Sequence, residues 1–357
     1  MTHPDIPRRR LRHHHLTGTL LGKPEDVVRW LGAVQAQDYH GAKWALARRA
    51  QGASSASIDE VFNQGKVLRT HVLRPTWHFV LPEDIRWLLR LTAPRVKARM
   101  AYSDRRLELD DVLLGRSNEL IAKALEGGNH LTRQELGRAL GNHGIVASGQ
   151  RLAHVVMRAE LDAVICSGPL RGKQFTYALL DERAPQATGL DRDDALAELA
   201  KRYFTSHGPA TVQDFAWWSG LTVAEAKRGI ELAGPQLSQE TMQTKTYWTG
   251  STESTGDDES TTVHLLPNYD EYLISYEDYS PIFSGEVHQL AKPFGNALLA
   301  HIVVRNGLVV GGWKRAIRKN EVVIKVDLLV KLTEAEQAAL QREAQRYSQF
   351  MGLPLTC

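Results

Sequence analysis

Two glutamines separated by one small residue, Gln35-Ala36-Gln37, form the most unusual polar motif of the sequence. The apolar spacing before them predicts a helix, so we expect the pair at its C-terminal end, where both amides can converge. A carboxamide can hold a water molecule through its oxygen and donate through its NH2 group, but it is not a strong base. The pair therefore suits a reaction whose leaving group is already activated. A polar helix end without a chemical role is the alternative interpretation.

A second group of polar residues lies on a predicted β-hairpin. β-Branched and aromatic residues on both sides of Arg74-Pro75 predict its two strands. Arginine, histidine and hydroxyl groups bind phosphates, and tryptophan stacks on bases. The candidate nucleic-acid contacts on this hairpin are Arg69, His71, Arg74, Thr76 and His78. An amphipathic hairpin with half of its side chains in the core would show the same pattern.

A basic motif follows towards the C-terminal end, where residues 313–319 carry four Lys and Arg. Its first two members, Lys314 and Arg315, are candidate phosphate contacts at the end of a hairpin. A solvated turn explains the same residues equally well.

An acidic motif runs from Asp270 and Glu271 to Asp278. Carboxylates beside a cleft can act as an acid or a base, or stabilise a positive charge. A structural turn with satisfied carboxylates is the favoured alternative, and the role of the motif stays open at this point.

Composition restricts the class of protein. The chain has 357 residues, 43% of them hydrophobic, and two cysteines, Cys166 and Cys357. The hydrophobic residues are sufficient for several buried cores. Two cysteines can form neither a disulfide framework nor a usual cysteine-based zinc site. The sequence has no run of about 20 apolar residues, so we predict no membrane span. It also has no dinucleotide-binding or Walker A motif, so we predict no nucleotide cofactor. We expect a cytoplasmic, nucleoid-associated protein without a cofactor or metal.

Charge is unevenly distributed along the chain. Residues 1–106 carry 19 Lys and Arg against nine Asp and Glu, although the whole chain has a net charge of only +3. Residues 251–290 contain nine acids and no Lys or Arg. A basic N-terminal part is typical of nucleic-acid binding, although solvated arginine-rich helices give the same count. We interpret the run from His13 to His15 as part of a solvated basic segment.

Three segments, at about 24–81, 112–180 and 191–249, share the predicted order helix, short helix, helix and strand pair. HLTRQELGRALG in the second aligns with PATVQDFAWWSG in the third, which places Thr132 over Thr211. Thr132 is also followed three residues later by a glutamate, the pattern of a capping box. This order is typical of the winged-helix variant of the helix-turn-helix.

The predicted fold is therefore α+β and mainly α, with a C-terminal β-rich unit that contains an Asn-Gly hairpin and a closing helix. A polar linker is expected at 250–262. The predicted units are winged helix 1 at 1–106, winged helix 2 at 107–188, winged helix 3 at 189–250 and the β-rich unit at 251–357.

The segments VQAQD, RTHVLRPTWHFVLPEDI, LLPNYDEYLISYED and GLVVGGWKR resemble, in order and over most of the chain, a bacterial winged-helix family. That family includes the AlkZ/YcaQ-type DNA glycosylases. The resemblance implies three tandem winged helices around a C-shaped basic channel. It also implies excision of N7-alkylated purines from double-stranded DNA, and in some members the unhooking of interstrand crosslinks. Gln35 and Gln37 match the Gln-apolar-Gln signature, which implies a catalytic role for both.

On this resemblance we expect a monomeric, monofunctional glycosylase in which the two glutamines position the attacking water. An N7-alkylated purine is cationic and leaves without protonation, so no strong acid is needed, and no lysine is placed as a Schiff-base nucleophile. The alternative function is a transcriptional regulator without catalysis. Such a regulator would read base edges with a recognition helix such as Ser148–Leu161.

Overall fold

The computed structural model of the chain describes residues 5–187, 189–242, 244–251, 261–283 and 301–356. Over these ranges the chain is a helix-rich α+β protein, which confirms the predicted class. Most of the linker predicted at 250–262 lies outside the described residues. None of the described helices combines the length and apolar character needed to cross a membrane.

The first segment follows an N-terminal helix and has the order helix, strand, helix, helix, strand, strand. Its elements are α1 (Asp5–His13), α2 (Pro24–Leu31), β1 (Val34–Gln35), α3 (Tyr39–Ala47), α4 (Ser55–Asn63), β2 (Leu68–His71) and β3 (Trp77–Val80). Pro24 opens α2, where its missing N–H costs nothing, and Gly32 with a φ of 79° ends it. The helix therefore stops before Gln35. The prediction that the glutamine pair lies at a helix end was wrong, because the chain enters a strand there.

The second segment repeats this order after the long helix α5. The elements are α5 (Ile85–Arg106), α6 (Asp111–Leu125), β4 (Leu131–Thr132), α7 (Arg133–Gly141), α8 (Gly149–Leu161), β5 (Ile165–Ser167), β6 (Thr176–Leu179) and α9 (Leu180–Arg183). Its antiparallel sheet has the order β4-β6-β5, the counterpart of β1-β3-β2 in the first segment. Thr132 caps α7 through the predicted capping box with Glu135.

The third segment has the same arrangement with a reduced first strand. The elements are α10 (Arg192–His207), α11 (Val212–Ser219), α12 (Val223–Ala233), β7 (Leu237–Met242) and β8 (Lys245–Gly250). Ala210 forms a single bridge to Trp248, at the place where the other segments have their first strand. Thr211 caps α11 as Thr132 caps α7, so the alignment of the two threonines is confirmed.

The C-terminal part is a five-stranded sheet with a closing helix. The elements are β9 (Val263–Leu266), α13 (Glu271–Ile274), β10 (Ile302–Arg305), β11 (Leu308–Arg318), β12 (Glu321–Leu328), α14 (Glu334–Met351) and β13 (Leu355–Thr356), with sheet order β13-β12-β11-β10-β9. Asn306 and Gly307, both at positive φ, connect β10 to β11. The predicted Asn-Gly hairpin is therefore confirmed.

The C-terminal sheet and the first segment share one apolar core. Val27, Phe79, Leu265 and Tyr347 belong to the same buried cluster. The Trp44 indole donates to the Leu265 carbonyl at 2.7 Å across this core. A second cluster joins the β2–β3 hairpin and α5 to the third segment. The β2–β3 hairpin therefore lies where the first, third and C-terminal parts of the chain meet.

Buried ion pairs connect the basic N-terminal part with acids far away in sequence. Arg49 binds Asp270 through both guanidinium Nη atoms, at 2.9 and 2.7 Å. Arg48 Nε lies 2.9 Å from the carboxylate of Glu343. Part of the uneven charge in the sequence is thus neutralised inside the molecule and does not form a basic surface.

The histidine run is folded into the structure. His14 is fully buried, and its Nε2 lies 2.9 Å from the Tyr276 hydroxyl. Burial lowers the pKa of His14 well below its ordinary value, with the nearby His207 adding to the effect. The prediction of a solvated segment was wrong for this residue, because α1 packs its C-terminal end into the third segment.

Candidate active site

Gln35 and Gln37 lie at the edge strand of the first sheet. Gln35 pairs with His78, and the N–H of Ala36 donates to the Trp77 carbonyl at 2.7 Å. Gln35 is the last residue of β1, and Gln37 lies two residues further on, in the bend that precedes α3. Gln37 is exposed and its Oε1 accepts from the Trp77 N–H at 3.4 Å, whereas Gln35 is 8% exposed. The side-chain carboxamide of Gln35 makes no hydrogen bond to a described residue.

A row of polar side chains continues from Gln35 across the sheet. Gln35, His78 and Thr70 are cross-strand neighbours and share one face. His78 Nδ1 lies 2.9 Å from the Thr76 carbonyl, which can only accept, so Nδ1 carries the hydrogen. His78 Nε2 and Thr70 Oγ1 are buried, and neither has a partner among the described residues. The row therefore places free polar atoms next to Gln35.

His78 is a neutral imidazole in this environment. Burial lowers the pKa of His78 to about 3, and the Arg74 guanidinium contributes to the shift. At neutral pH its Nε2 is therefore a hydrogen-bond acceptor and does not add positive charge. The predicted role of His78 as a phosphate contact has no support in its location, since the side chain is fully buried.

Glu271, at the start of α13, lies directly behind β1. Its Oε1 accepts from the main-chain N–H of Gln35 at 2.6 Å, and its Oε2 accepts from the Trp218 indole at 3.0 Å. Burial acts to raise the pKa of Glu271, but the nearby His207 and hydrogen bonds from the Ser275 hydroxyl and the Gln35 N–H lower it to about 2. The carboxylate is therefore ionised. Of the acidic motif, this is the residue that reaches the glutamine pair.

The other two acids of the motif have structural partners. Asp270 is fully engaged by Arg49 and by the Tyr272 N–H. Asp278 binds the exposed Lys245 at 2.5 Å. No group of three or more His, Cys, Asp or Glu in the described ranges is arranged to hold a metal ion.

Arg69 and His71 lie on the opposite face of the hairpin, against the second segment. His71 Nδ1 is 2.5 Å from a Glu160 carboxylate oxygen. The Arg69 guanidinium lies between the rings of Trp77 and Phe175, at 4.3 and 4.6 Å from their centroids. Both side chains are less than a tenth exposed. They hold the hairpin against the second segment.

Arg74 and Thr76 occupy the turn of the hairpin. Arg74 Nη1 lies 3.4 Å from the Ile274 carbonyl, while its Nε and Nη2 and the Thr76 hydroxyl are buried without a partner in the described structure. Nε and Nη2 form one edge of the guanidinium, a geometry that matches a phosphate. The exposed ring of Trp217 lies 5.9 Å from the Arg74 guanidinium carbon. The turn therefore holds unpaired, buried donors beside an exposed aromatic ring.

Trp217 was not among the sequence candidates, and Glu271 was named only as a member of the acidic motif whose role stayed open. The adjacent Trp217 and Trp218 in α11 could have indicated such a site from the sequence. The Trp218 indole donates to the buried Glu271, whereas Trp217 is 46% exposed. For Glu271 the sequence offered only an acidic cluster, because its partners lie in three distant segments.

The basic motif of β11 is divided between two faces. Lys314 is exposed opposite Lys325, whereas Arg315 points inward, with Nη2 3.9 Å from the Asp38 carboxylate. Asp38 directly follows Gln37 and caps α3. The structure therefore brings Arg315 next to the glutamine motif and leaves Lys314 on the outer face of the hairpin.

Helix α8, the recognition helix expected of a regulator, is covered by neighbouring elements. Its Arg151 donates to the Leu107 carbonyl, its His154 lies 2.6 Å from Asp104, and its Arg158 lies 3.0 Å from Asp111. No residue of this described helix from Arg151 onwards is exposed. The helix offers few groups for reading base edges.

Comparison with known proteins supports a glycosylase and not a regulator. Residues 28–350 match the family model described as DNA glycosylase AlkZ-like. An interstrand DNA cross-link repair glycosylase of Streptomyces sahachiroi is 25% identical over 333 residues, or 89% of this chain and 90% of that protein. The solved structure of Streptomyces sahachiroi DNA glycosylase AlkZ, 21% identical, superposes with a TM-score of 0.79 and covers 100% of this chain and 99% of that one. The chain therefore belongs to the AlkZ-like family of DNA glycosylases.

Proposed function

We propose that this glycosylase hydrolyses the N-glycosidic bond of N7-alkylated purines in double-stranded DNA, with Gln35 and Gln37 positioning the water. The observation that carries the proposal is the pair of carboxamides at the end of β1, beside a neutral imidazole and an ionised carboxylate. None of these groups is a strong acid or base at neutral pH. The site thus suits a base that is already a good leaving group.

The reaction balances without a cofactor. Cleavage of the C1′–N9 bond leaves the electron pair on the alkylated purine, which departs as a neutral base. The water oxygen bonds to C1′ of the oxocarbenium-like sugar, and the water proton passes to solvent. The amide oxygens of Gln35 and Gln37 hold this water and direct their dipoles at the positive sugar. No lysine contacts Gln35, His78 or Glu271 in the described residues, which favours a monofunctional enzyme.

The three repeated segments are best described as tandem winged helices. Their shared order of helices and strands, and the matching sheet orders of the first two, support this description. We place the unit boundaries at 1–106, 107–188, 189–250 and 251–357, with a basic channel between the units. The protein then acts as a monomer on chromosomal DNA in the nucleoid.

Within this channel, Arg74 and Thr76 bind phosphate near the lesion and fix the register of the duplex. Lys314 and Arg315 contribute further basic groups from β11. Arg69, His71 and His78 shape the hairpin from inside. The named activity of the Streptomyces relative supports interstrand crosslinks as an additional substrate, since the two chains align over nearly their full lengths.

The test is the release of free base from a duplex with a single N7-methylguanine, by the wild type and by Gln37→Ala. Loss of one oriented polar group costs about 3 kcal/mol, so we expect release to slow roughly a hundredfold. Duplex affinity should stay within about twofold, because phosphate contacts dominate it. Gln341→Ala, which removes an exposed glutamine on α14, is the matched control. Equal rates for Gln37→Ala and the wild type would remove Gln37 from the mechanism.

A further inference from the structure

We infer that Glu271 is a positioning residue of the excision reaction, which holds the Gln35 backbone and supplies a fixed negative charge behind the reacting sugar. This inference rests on the proposed function. Glu271 is fully buried, so it acts through Gln35 and through its electric field and not by touching the substrate. Three observations support the assignment.

The first observation is that Glu271 has no cationic partner. In the part of the chain that the structure describes, no Lys or Arg pairs with it, and the nearest ionisable nitrogen is His207 Nε2 at 3.8 Å. Burial lowers the pKa of His207, which leaves the ring neutral near pH 7. The buried carboxylates of Asp270 and Glu343, in contrast, lie directly against arginines. An unpaired buried charge is costly, and such groups concentrate at functional sites.

The second observation is that neutral donors fix the carboxylate without cancelling its charge. The Gln35 N–H, the Trp218 indole and the Ser275 hydroxyl all donate to it. These contacts come from the first segment, the third segment and the residue that follows α13. The 2.6 Å bond to the Gln35 N–H also fixes the strand whose side chains hold the water. Glu271 therefore controls both the geometry of the glutamine pair and the local charge.

The third observation is that the field of Glu271 reaches the groups around the site. Burial lowers the pKa of both Arg74 and His78, and the Glu271 charge partly opposes that lowering in each case. During excision the positive charge moves from the purine to the sugar. A fixed anion in a water-poor interior stabilises that developing charge more strongly than it would in water. The unpaired carboxylate is thus complementary to the reaction.

The test separates charge from structure by means of two abasic-site analogues in otherwise identical duplexes. One duplex carries a neutral tetrahydrofuran residue and the other a cationic pyrrolidine residue, which imitates the charged sugar. We expect the wild type to prefer the pyrrolidine duplex, and Glu271→Gln to lose roughly tenfold or more of that preference. Structural damage alone would weaken both complexes equally and leave their affinity ratio unchanged.

Glu343→Gln is the matched control, because Glu343, on α14, is another buried carboxylate and is paired with Arg48. It should keep the wild-type ratio even if its thermal stability falls. Equal ratios for the wild type and a folded Glu271→Gln would overturn the inference. If that variant does not fold, a wild type that binds both duplexes equally would overturn it as well. Release of N7-methylguanine by the wild type tests the proposed substrate separately, since the affinity ratio involves no base.

Discussion

The main-chain N–H of Gln35 donates to the carboxylate of Glu271 at 2.6 Å, although 236 positions separate the two residues. The same carboxylate accepts from Trp218 in the third segment. The site is therefore complete only when the first, third and C-terminal parts of the chain have assembled. Gln35 and Glu271 are both buried, so packed elements and not flexible loops position them, which suits the precise placement of a water molecule.

This arrangement predicts that the two glutamines act as a unit. Gln35→Ala should slow base release roughly a hundredfold, as is expected for Gln37→Ala. The double variant should lose much less than the product of the two effects, because both amides hold the same water. Single-turnover release from an N7-methylguanine duplex measures all three rates. Strictly multiplicative losses would show that the two glutamines have separate roles.

The order of elements could be predicted because its signals are local. Thr132 with Glu135, and the Asn306-Gly307 turn, specify their structures through neighbouring residues. The location of the glutamine pair could not be predicted in this way. Val34 continues the helical spacing of the apolar residues before it, yet it is buried in a sheet after Gly32 has ended the helix. A buried position is apolar in a helix and in a strand alike, so the apolar spacing alone did not show where α2 ends and β1 begins.

Charge counts had a similar limit. The basic excess of the first segment indicated a nucleic-acid surface, but Arg48 and Arg49 are buried against Glu343 and Asp270. Part of the acidic excess near the C-terminal end neutralises these two buried arginines. A sequence shows how many charges a segment carries, whereas only the tertiary contacts show which of them face a ligand.

The two arginines of the hairpin should respond differently to removal. Arg74 has unused donors at the turn, so Arg74→Ala should weaken duplex binding and reduce the salt dependence of log K by about one unit. Arg69 lies between two aromatic rings, so Arg69→Ala should instead lower the free energy of unfolding, by roughly 1–3 kcal/mol. Anisotropy titrations over a salt series and urea unfolding measure these effects. The reverse pattern would mean that Arg69 is the phosphate contact.

Two acids of one motif should differ in their effect on stability. Asp270→Asn leaves Arg49 buried without its bidentate partner and should cost roughly 3–5 kcal/mol. Asp278→Asn breaks a largely exposed pair with Lys245 and should cost less than about 1 kcal/mol. Urea unfolding of both variants and the wild type gives the comparison. Similar losses would contradict the assignment of Asp270 as the structural anchor of this motif.

Protonation of buried histidines should set the acid limit of stability. The pKa of His78 is about 3 in the folded protein, mainly because of burial, against 6.5 as its ordinary value. Above pH 6.5 neither state binds this proton, so the contribution of His78 is complete there. Between pH 6.5 and 3 the unfolded chain binds a proton that the folded chain does not. The free energy of unfolding should therefore fall by about 1.4 kcal/mol per pH unit from this residue alone.

Urea unfolding at pH 7.5, 6.5 and 5.5 measures that slope for the wild type and for His78→Gln, which keeps a polar side chain without a titrating group. The variant should lose less stability on acidification than the wild type. His14 and His264, whose pKa values burial also lowers, act in the same direction and leave a residual slope. His143→Gln, at an exposed histidine, should retain the wild-type slope. A His78→Gln slope equal to that of the wild type would show that His78 binds its proton equally well in the folded and unfolded chains, which would contradict a buried neutral imidazole beside Gln35.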